Sequence, residues 1–158
     1  MKKIPASFVI TFIAIFICLE NNGQGKDSQS AKFRSNSING YIGFAEYNIN
    51  YERNISQRQK SYTNIRLGFG LGAFVTAGEG IYLNPALVHL IGKKYSFLEL
   101  DLGFKYIIHY EGLDPEYSEY FIPDIFAGYR YERPDGKRIF RVGFNWPTLV
   151  NIGIGFKF

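Results

Sequence analysis

The feature that most limits how this chain can fold is a period of two in side-chain polarity, sustained over long runs. Within residues 63–75 one parity reads Thr63, Ile65, Leu67, Phe69, Leu71, Ala73, Val75; the other reads Asn64, Arg66, Gly68, Gly70, Gly72, Phe74. Within residues 97–110, Leu98, Leu100, Leu102, Phe104, Tyr106, Ile108 and Tyr110 alternate with Glu99, Asp101, Gly103, Lys105 and His109. Successive side chains of a strand point to opposite faces, so each run is a strand with one oily and one polar side. Such runs are longer than the strands of ordinary soluble domains. The 17 glycines, 12 tyrosines and 15 phenylalanines agree with strands and disfavour a helical bundle.

The pattern recurs. Tyr47, Ile49 and Tyr51 alternate with Glu46, Asn48, Asn50 and Glu52; Ile125, Ala127, Tyr129 and Tyr131 with Asp124, Phe126, Gly128, Arg130 and Glu132. Phe140, Val142 and Phe144 alternate with Arg141, Gly143 and Asn145, and Val150, Ile152, Ile154, Phe156 and Phe158 with Asn151, Gly153, Gly155 and Lys157. Short polar turns are expected at 56–60, 92–94 and 134–137, with other connections at 76–81, 111–119 and 146–147. Eight strands follow, near 37–43, 45–55, 61–75, 82–91, 95–110, 120–132, 138–146 and 148–158. Residues 38–55 could also form one long bent strand; an even count is preferred because it returns both termini to one side. The facing of residues 82–91 is ambiguous, and Pro85 is expected near the start of its strand.

Alternation alone does not say which face meets solvent. A soluble lipocalin-like carrier turns its apolar parity inward, and a transmembrane barrel turns it toward lipid. The polar parity decides. It carries Glu46, Glu52, Glu99, Asp101, Asp124 and Glu132 with Arg66, Lys105, Arg130, Arg141 and Lys157, six acids against five bases, interspersed with eight glycines. Glycine weakens a solvated strand but makes room in a crowded lumen. The chain therefore reads as all-β, an eight-stranded antiparallel up-and-down transmembrane β-barrel occupying residues 37–158, whose eleven lumen charges pair and plug it. Tyr51, Tyr131, Phe156 and Phe158 would line one membrane interface, and Tyr110, Phe121, Phe144 and Trp146 the other. The soluble carrier stays open as the alternative.

The last strand, Asn151 to Phe158, ends on an aromatic with apolar residues at alternate positions before it. It resembles the C-terminal strand of bacterial outer-membrane barrels. Residues 50–53, 66–70, 92–94 and 98–100 also look like segments of small OmpA/OmpX-like barrels of Bacteroidota-type bacteria. The resemblance implies an outer-membrane location, contact with outer-membrane lipid and lipopolysaccharide, and recognition by the barrel-assembly machinery through Phe156 and Phe158. It transfers no activity.

Lys2 and Lys3 precede a 12-residue apolar run at 8–19, interrupted by Thr11. That is short for a membrane span and fits the core of a signal peptide, residues 1–25, cleaved before Lys26. Cys18, the sole cysteine, lies within the run, so the mature chain is expected to lack thiols, disulfides and zinc–cysteine chemistry. Polar residues 26–36 read as a disordered lead-in.

Candidate chemistry is sparse. His89 and His109 are the two histidines, and no His-x-Ser arrangement accompanies them; a lipid A-modifying enzyme, with Glu111, Ser118 and Glu119 near His109, is a further alternative to the expected absence of catalysis. Gly68, Gly70 and Gly72 alternate within a strand and do not open a helix, so no phosphate loop is indicated. Neither a calcium loop nor a paired-histidine motif occurs, and no cofactor or metal is expected. The formal charge of +4 is dispersed, which argues against nucleic acid as a partner. Loop 111–119, with Asp114, Glu116 and Tyr117, is the best candidate contact surface, and Arg53, Arg58, Lys60, Lys93, Lys94, Arg133, Lys137 and Arg138 gather at the opposite, periplasmic end. A monomer is expected.

Overall fold

The computed structural model describes residues 36–58, 60–74, 78–111, 120–133 and 135–158. Residues 1–35, where a signal peptide and a disordered lead-in are expected, most of the expected loop 111–119 and the side chains of His109 and Tyr110 lie outside the described set. The described chain forms eight strands: β1 (Asn36–Gly43), β2 (Glu46–Gln57), β3 (Ser61–Phe74), β4 (Gly78–Lys93), β5 (Ser96–Glu111), β6 (Tyr120–Glu132), β7 (Arg138–Trp146) and β8 (Leu149–Lys157). Each pairs antiparallel with its sequence neighbour, and β1 pairs with β8 from Ser37↔Lys157 to Gly43↔Asn151, closing an up-and-down barrel. Closure leaves no unpaired sheet edge within the cylinder. Residues 38–55 are thus two strands, not one.

Strand existence follows the alternation; two boundaries do not. β4 begins at Gly78, inside the expected connection 76–81, because the β3–β4 hairpin stays zipped through Gly72↔Gly80, Ala73↔Glu79 and Phe74↔Gly78. Pro85 consequently sits mid-strand and not near a start. It lies opposite Phe104, between the pairs Leu83↔Tyr106 and Ala86↔Gly103, where it has no N–H to give. The Asn84 side chain supplies the donor instead, 3.0 Å from the Phe104 carbonyl. Asn54 plays a similar part where β2 bulges between Asn54 and Ser56: its amide donates to the Thr63 carbonyl at 3.3 Å and to Asn64 Oδ1 at 2.9 Å.

The expected turn at 92–94 also shifts. Gly92 belongs to β4, and the reversal is Lys94–Tyr95, with Lys94 at φ 58°. Gly92 is required by a close approach, since a Cβ there would meet the Ser96 carbonyl oxygen at 2.1 Å. The strand ends at Gln57/Ser61, Lys93/Ser96 and Glu132/Arg138 share one end of the barrel, hereafter the basic end; those at Gly43/Glu46, Phe74/Gly78, Glu111/Tyr120 and Trp146/Leu149 share the other.

The distribution of polarity is inverted relative to a water-soluble domain. Among the described residues, 29 large hydrophobic side chains are exposed and 10 hydrophobic residues are buried, while 20 polar or charged residues are buried. Ile49, Leu67, Phe69, Leu102, Val142, Ile152 and Ile154 form part of the oily exterior. Inside, the basic end carries a small apolar plug of Tyr62, Val88, Leu90 and Phe97, with Tyr62 and Phe97 edge to face at 5.2 Å. The facing of β4, open from sequence, is settled by Tyr82, Asn84, Ala86, Val88 and Leu90 pointing inward.

Candidate functional site: a charged barrel interior

The inward parity brings charges from six strands into one narrow space. All eleven candidate lumen residues, Glu46, Glu52, Arg66, Glu99, Asp101, Lys105, Asp124, Arg130, Glu132, Arg141 and Lys157, are buried, Lys157 the least at 8% exposed. They fall into two groups with different chemistry.

The larger group balances four acids with four bases. Arg130 contacts Glu52 and Glu132, each at 2.7 Å. Arg66 reaches Asp101 at 2.7 Å, with Glu52 and Glu99 at 3.8 and 3.9 Å. Arg141 lies 3.1 Å from Glu99 and 3.0 Å from Asp101, and Lys157 stands 3.9 Å from Glu132. Arg130 and Arg141 are direct cross-strand neighbours, a juxtaposition that is unfavourable alone. Acids from β2, β5 and β6 offset it. Tyr41 joins the set by donating to Glu52 Oε1 at 2.9 Å, and Asn64 donates to Glu52 Oε2 at 3.3 Å.

The smaller group, toward the opposite end, has two acids on one base. Lys105 Nζ lies 2.5 Å from Glu46 and 3.2 Å from Asp124. The surplus negative charge is met by neutral donors: Tyr82 at 2.9 Å, Thr148 at 2.7 Å and Asn151 at 3.1 Å on Glu46, and Asn84 at 3.0 Å on Asp124. Neutral donors thus share with Lys105 the compensation of two buried carboxyl groups.

Sequence reasoning identified the charges and put Phe126 on their parity, but did not place Tyr41 and Tyr82 among them. Tyr41, Tyr82 and Phe126 are buried in the interior, and Arg141 stacks 3.9 Å from the centroids of both Tyr41 and Phe126. Several glycines sit close against these rings. A Cβ on Gly153 would fall 2.3 Å from Tyr41 Cδ1, one on Gly70 2.4 Å from Tyr82 Cζ, and one on Gly143 2.6 Å from Phe126 Cζ. The signal was present as large-to-small complementarity: Tyr82 is paired in register with Gly70, and Tyr41 with Gly153.

Elsewhere the candidates separate. His89 sits on the exterior, its Nδ1 2.9 Å from Thr63 Oγ1, away from the lumen charges. Phe156 and Phe158 are exposed on the outer surface, as are Tyr51, Phe144 and Trp146; Tyr131 and Phe121 are half-buried against neighbouring rings. Among the described residues no group of three or more His, Cys, Asp or Glu side chains is arranged to hold a metal ion.

No protein-family model and no curated protein matches the chain. Among solved structures it is similar to one described as "De novo design of transmembrane beta-barrels", with a TM-score of 0.53 and 14% identity over 79% of this chain and 96% of that chain. At that identity the likeness concerns the fold. Together with the closed strand order it defines the class: an eight-stranded antiparallel β-barrel of the transmembrane type.

Proposed function

We propose that this chain is a small integral barrel of a bacterial outer membrane, exported by a cleaved signal peptide, with a plugged, charge-paired lumen and a structural or surface-interaction role. The observation that carries this reading is the pairing of buried charge inside with oily side chains outside. A lipocalin-like carrier needs an empty, largely apolar interior for its ligand. Here that space is taken by Arg66, Arg130, Arg141 and their carboxylates. The exterior presents Leu67, Leu102, Ile152 and Ile154, which suit hydrocarbon and would cost solubility in water.

On this reading the barrel is a monomer without cofactor or enzymatic activity, related in architecture to OmpA/OmpX-like proteins. Its exterior meets outer-membrane lipid and lipopolysaccharide, and Phe156 on the outer face of β8, with Phe158 just beyond it, presents the signal for barrel assembly. The test combines three measurements on the full chain. Heat-modifiable migration in detergent gels and partition with outer membranes are expected, and reconstituted proteoliposomes are expected to retain a small trapped dye. Recovery as a soluble monomer without detergent overturns the membrane reading; rapid dye leakage overturns the plug.

A further inference from the structure

The two ends of the barrel differ in charge. The turns and strand ends at the basic end carry Arg53, Arg58, Lys60, Lys93, Lys94, Arg133, Lys137 and Arg138, with Asp135 as the carboxylate of the β6–β7 turn. The cations are not evenly built. Between β6 and β7 an open groove of about 370 Å³ is lined by Tyr131, Arg133, Gly136, Lys137, Arg138 and Phe140.

Its construction has an apolar floor and a cationic rim. Tyr131 and Phe140 are cross-strand partners on the outer face and form the floor. Phe140, Val142 and Phe144 continue it along β7, all about half exposed. At the rim, Arg133 is held in place: its Nε donates to Tyr131 Oη at 3.0 Å, and its guanidinium lies 5.8 Å from the Tyr95 ring centroid. Gly136 closes the turn onto it through a 3.2 Å bond to the Arg133 carbonyl, and a Cβ at Gly136 would stand 2.9 Å from Arg133 Cβ. Lys137 and Arg138 are exposed, and among the described residues no carboxylate lies within ion-pair distance of these three cations. A fixed guanidinium beside two exposed cations, directly above an aliphatic and aromatic track, complements one chemistry: a phosphate diester attached to an acyl chain.

The geometry points to this groove as a binding site for the headgroup of an anionic phospholipid. The phosphate sits between Arg133, Lys137 and Arg138, and the acyl chain runs along Phe140 and Val142. The assignment rests on the membrane reading above and adds a specific lipid position to it.

The full chain is reconstituted in phosphatidylcholine bilayers carrying a minor fraction of phosphatidylglycerol, then extracted in small discs whose lipid is quantified by mass spectrometry. Phosphatidylglycerol is expected to be enriched about tenfold around the protein over the bulk bilayer. The triple variant R133Q/K137Q/R138Q is expected to lose that enrichment, and the control R53Q/R58Q, at the same end, to keep it. Equal enrichment in all three, equal loss in the control, or no enrichment in wild type overturns the assignment. Displacement of the lipid by inorganic phosphate at matched ionic strength also overturns it, since the groove would then read free phosphate. Heat-modifiable migration is recorded alongside: a chain that inserts without enrichment defeats this inference alone, and one that fails to insert in any bilayer defeats both readings.

Discussion

The guanidinium carbon of Arg141 lies 3.9 Å from the centroid of the Tyr41 ring. The same arginine binds Glu99 and Asp101, so a single side chain joins the aromatic and ionic parts of the interior. A planar guanidinium can stack and form ion pairs simultaneously; an ammonium cannot do both as well. Arg141→Lys is therefore expected to destabilise the barrel by about 1–2 kcal/mol, and Arg141→Ala by about 3–5 kcal/mol, because two buried acids lose a partner. Urea unfolding midpoints in lipid vesicles measure both; an Arg141→Lys variant as stable as the unaltered chain would show that stacking contributes nothing.

Arg130 and Arg66 anchor the rest of the larger group through their 2.7 Å contacts to Glu52, Glu132 and Asp101. Arg66→Ala and Arg130→Ala are each expected to lower the temperature of heat-modifiable unfolding, with a cost of about 3–5 kcal/mol. Pairing Arg130→Ala with Glu52→Gln should recover part of the loss, since it removes an orphaned charge. Unchanged stability in both single variants would refute an interior network.

The glycines give a sharper steric test. At Gly143 a Cβ would meet the Ala127 carbonyl oxygen and Gly128 Cα, each at 2.5 Å, and neither backbone atom can turn aside. At Gly40 nothing lies within 4 Å. Gly143→Ala is expected to cost about 1–3 kcal/mol by overpacking, and Gly40→Ala to lie within about 0.5 kcal/mol of wild type. Refolding yield and urea midpoint distinguish them.

Lys94 takes the left-handed region at φ 58°, where a Cβ is unfavourable. Lys94→Gly relieves that conformation at some entropic cost to the folded state, and a gain of about 0.5–1 kcal/mol in unfolding stability is expected. A loss of stability would mean that the Lys94 side chain contributes more than its backbone costs.

Leu102, 65% exposed near the middle of β5, tests the exterior. Leu102→Arg is expected to destabilise the barrel in vesicles by about 2–4 kcal/mol, as for cations at the bilayer midplane. Indifference to the substitution would place this surface in water.

Much of this architecture is legible because alternation is a direct readout of strand facing. Where both parities are apolar, as at Leu83, Leu87 and Ile91 against Ala86, Val88 and Leu90, the readout fails, and β4 could be oriented only once its neighbours were known. The inward charges were legible because nothing else places Glu99, Asp101 and Lys105 at alternate positions among leucines. Of the rings that occupy the same space, Phe126 falls on the charged parity, whereas Tyr41 and Tyr82 were not legible. Tyr41 lies in a short strand with Ile38, Gly40 and Ile42, and its partner Gly153 is over a hundred residues away. Which cation meets which acid also depends on stagger around the cylinder, and sequence spacing carries no record of it.

Pro85 and Asn84 give the β4–β5 pair a property that plain ladders lack. Proline silences one donor, and the adjacent amide restores it only where the Phe104 carbonyl stands opposite. If β5 slid by one pleat, a different carbonyl would face the silent position, and Asn84 would also give up its hold on Asp124. The dipeptide thus works as a key cut for one alignment of the two longest strands, so that while the chain is still threading into its final cylinder, a misaligned hairpin carries its own penalty and only the native stagger is free of it.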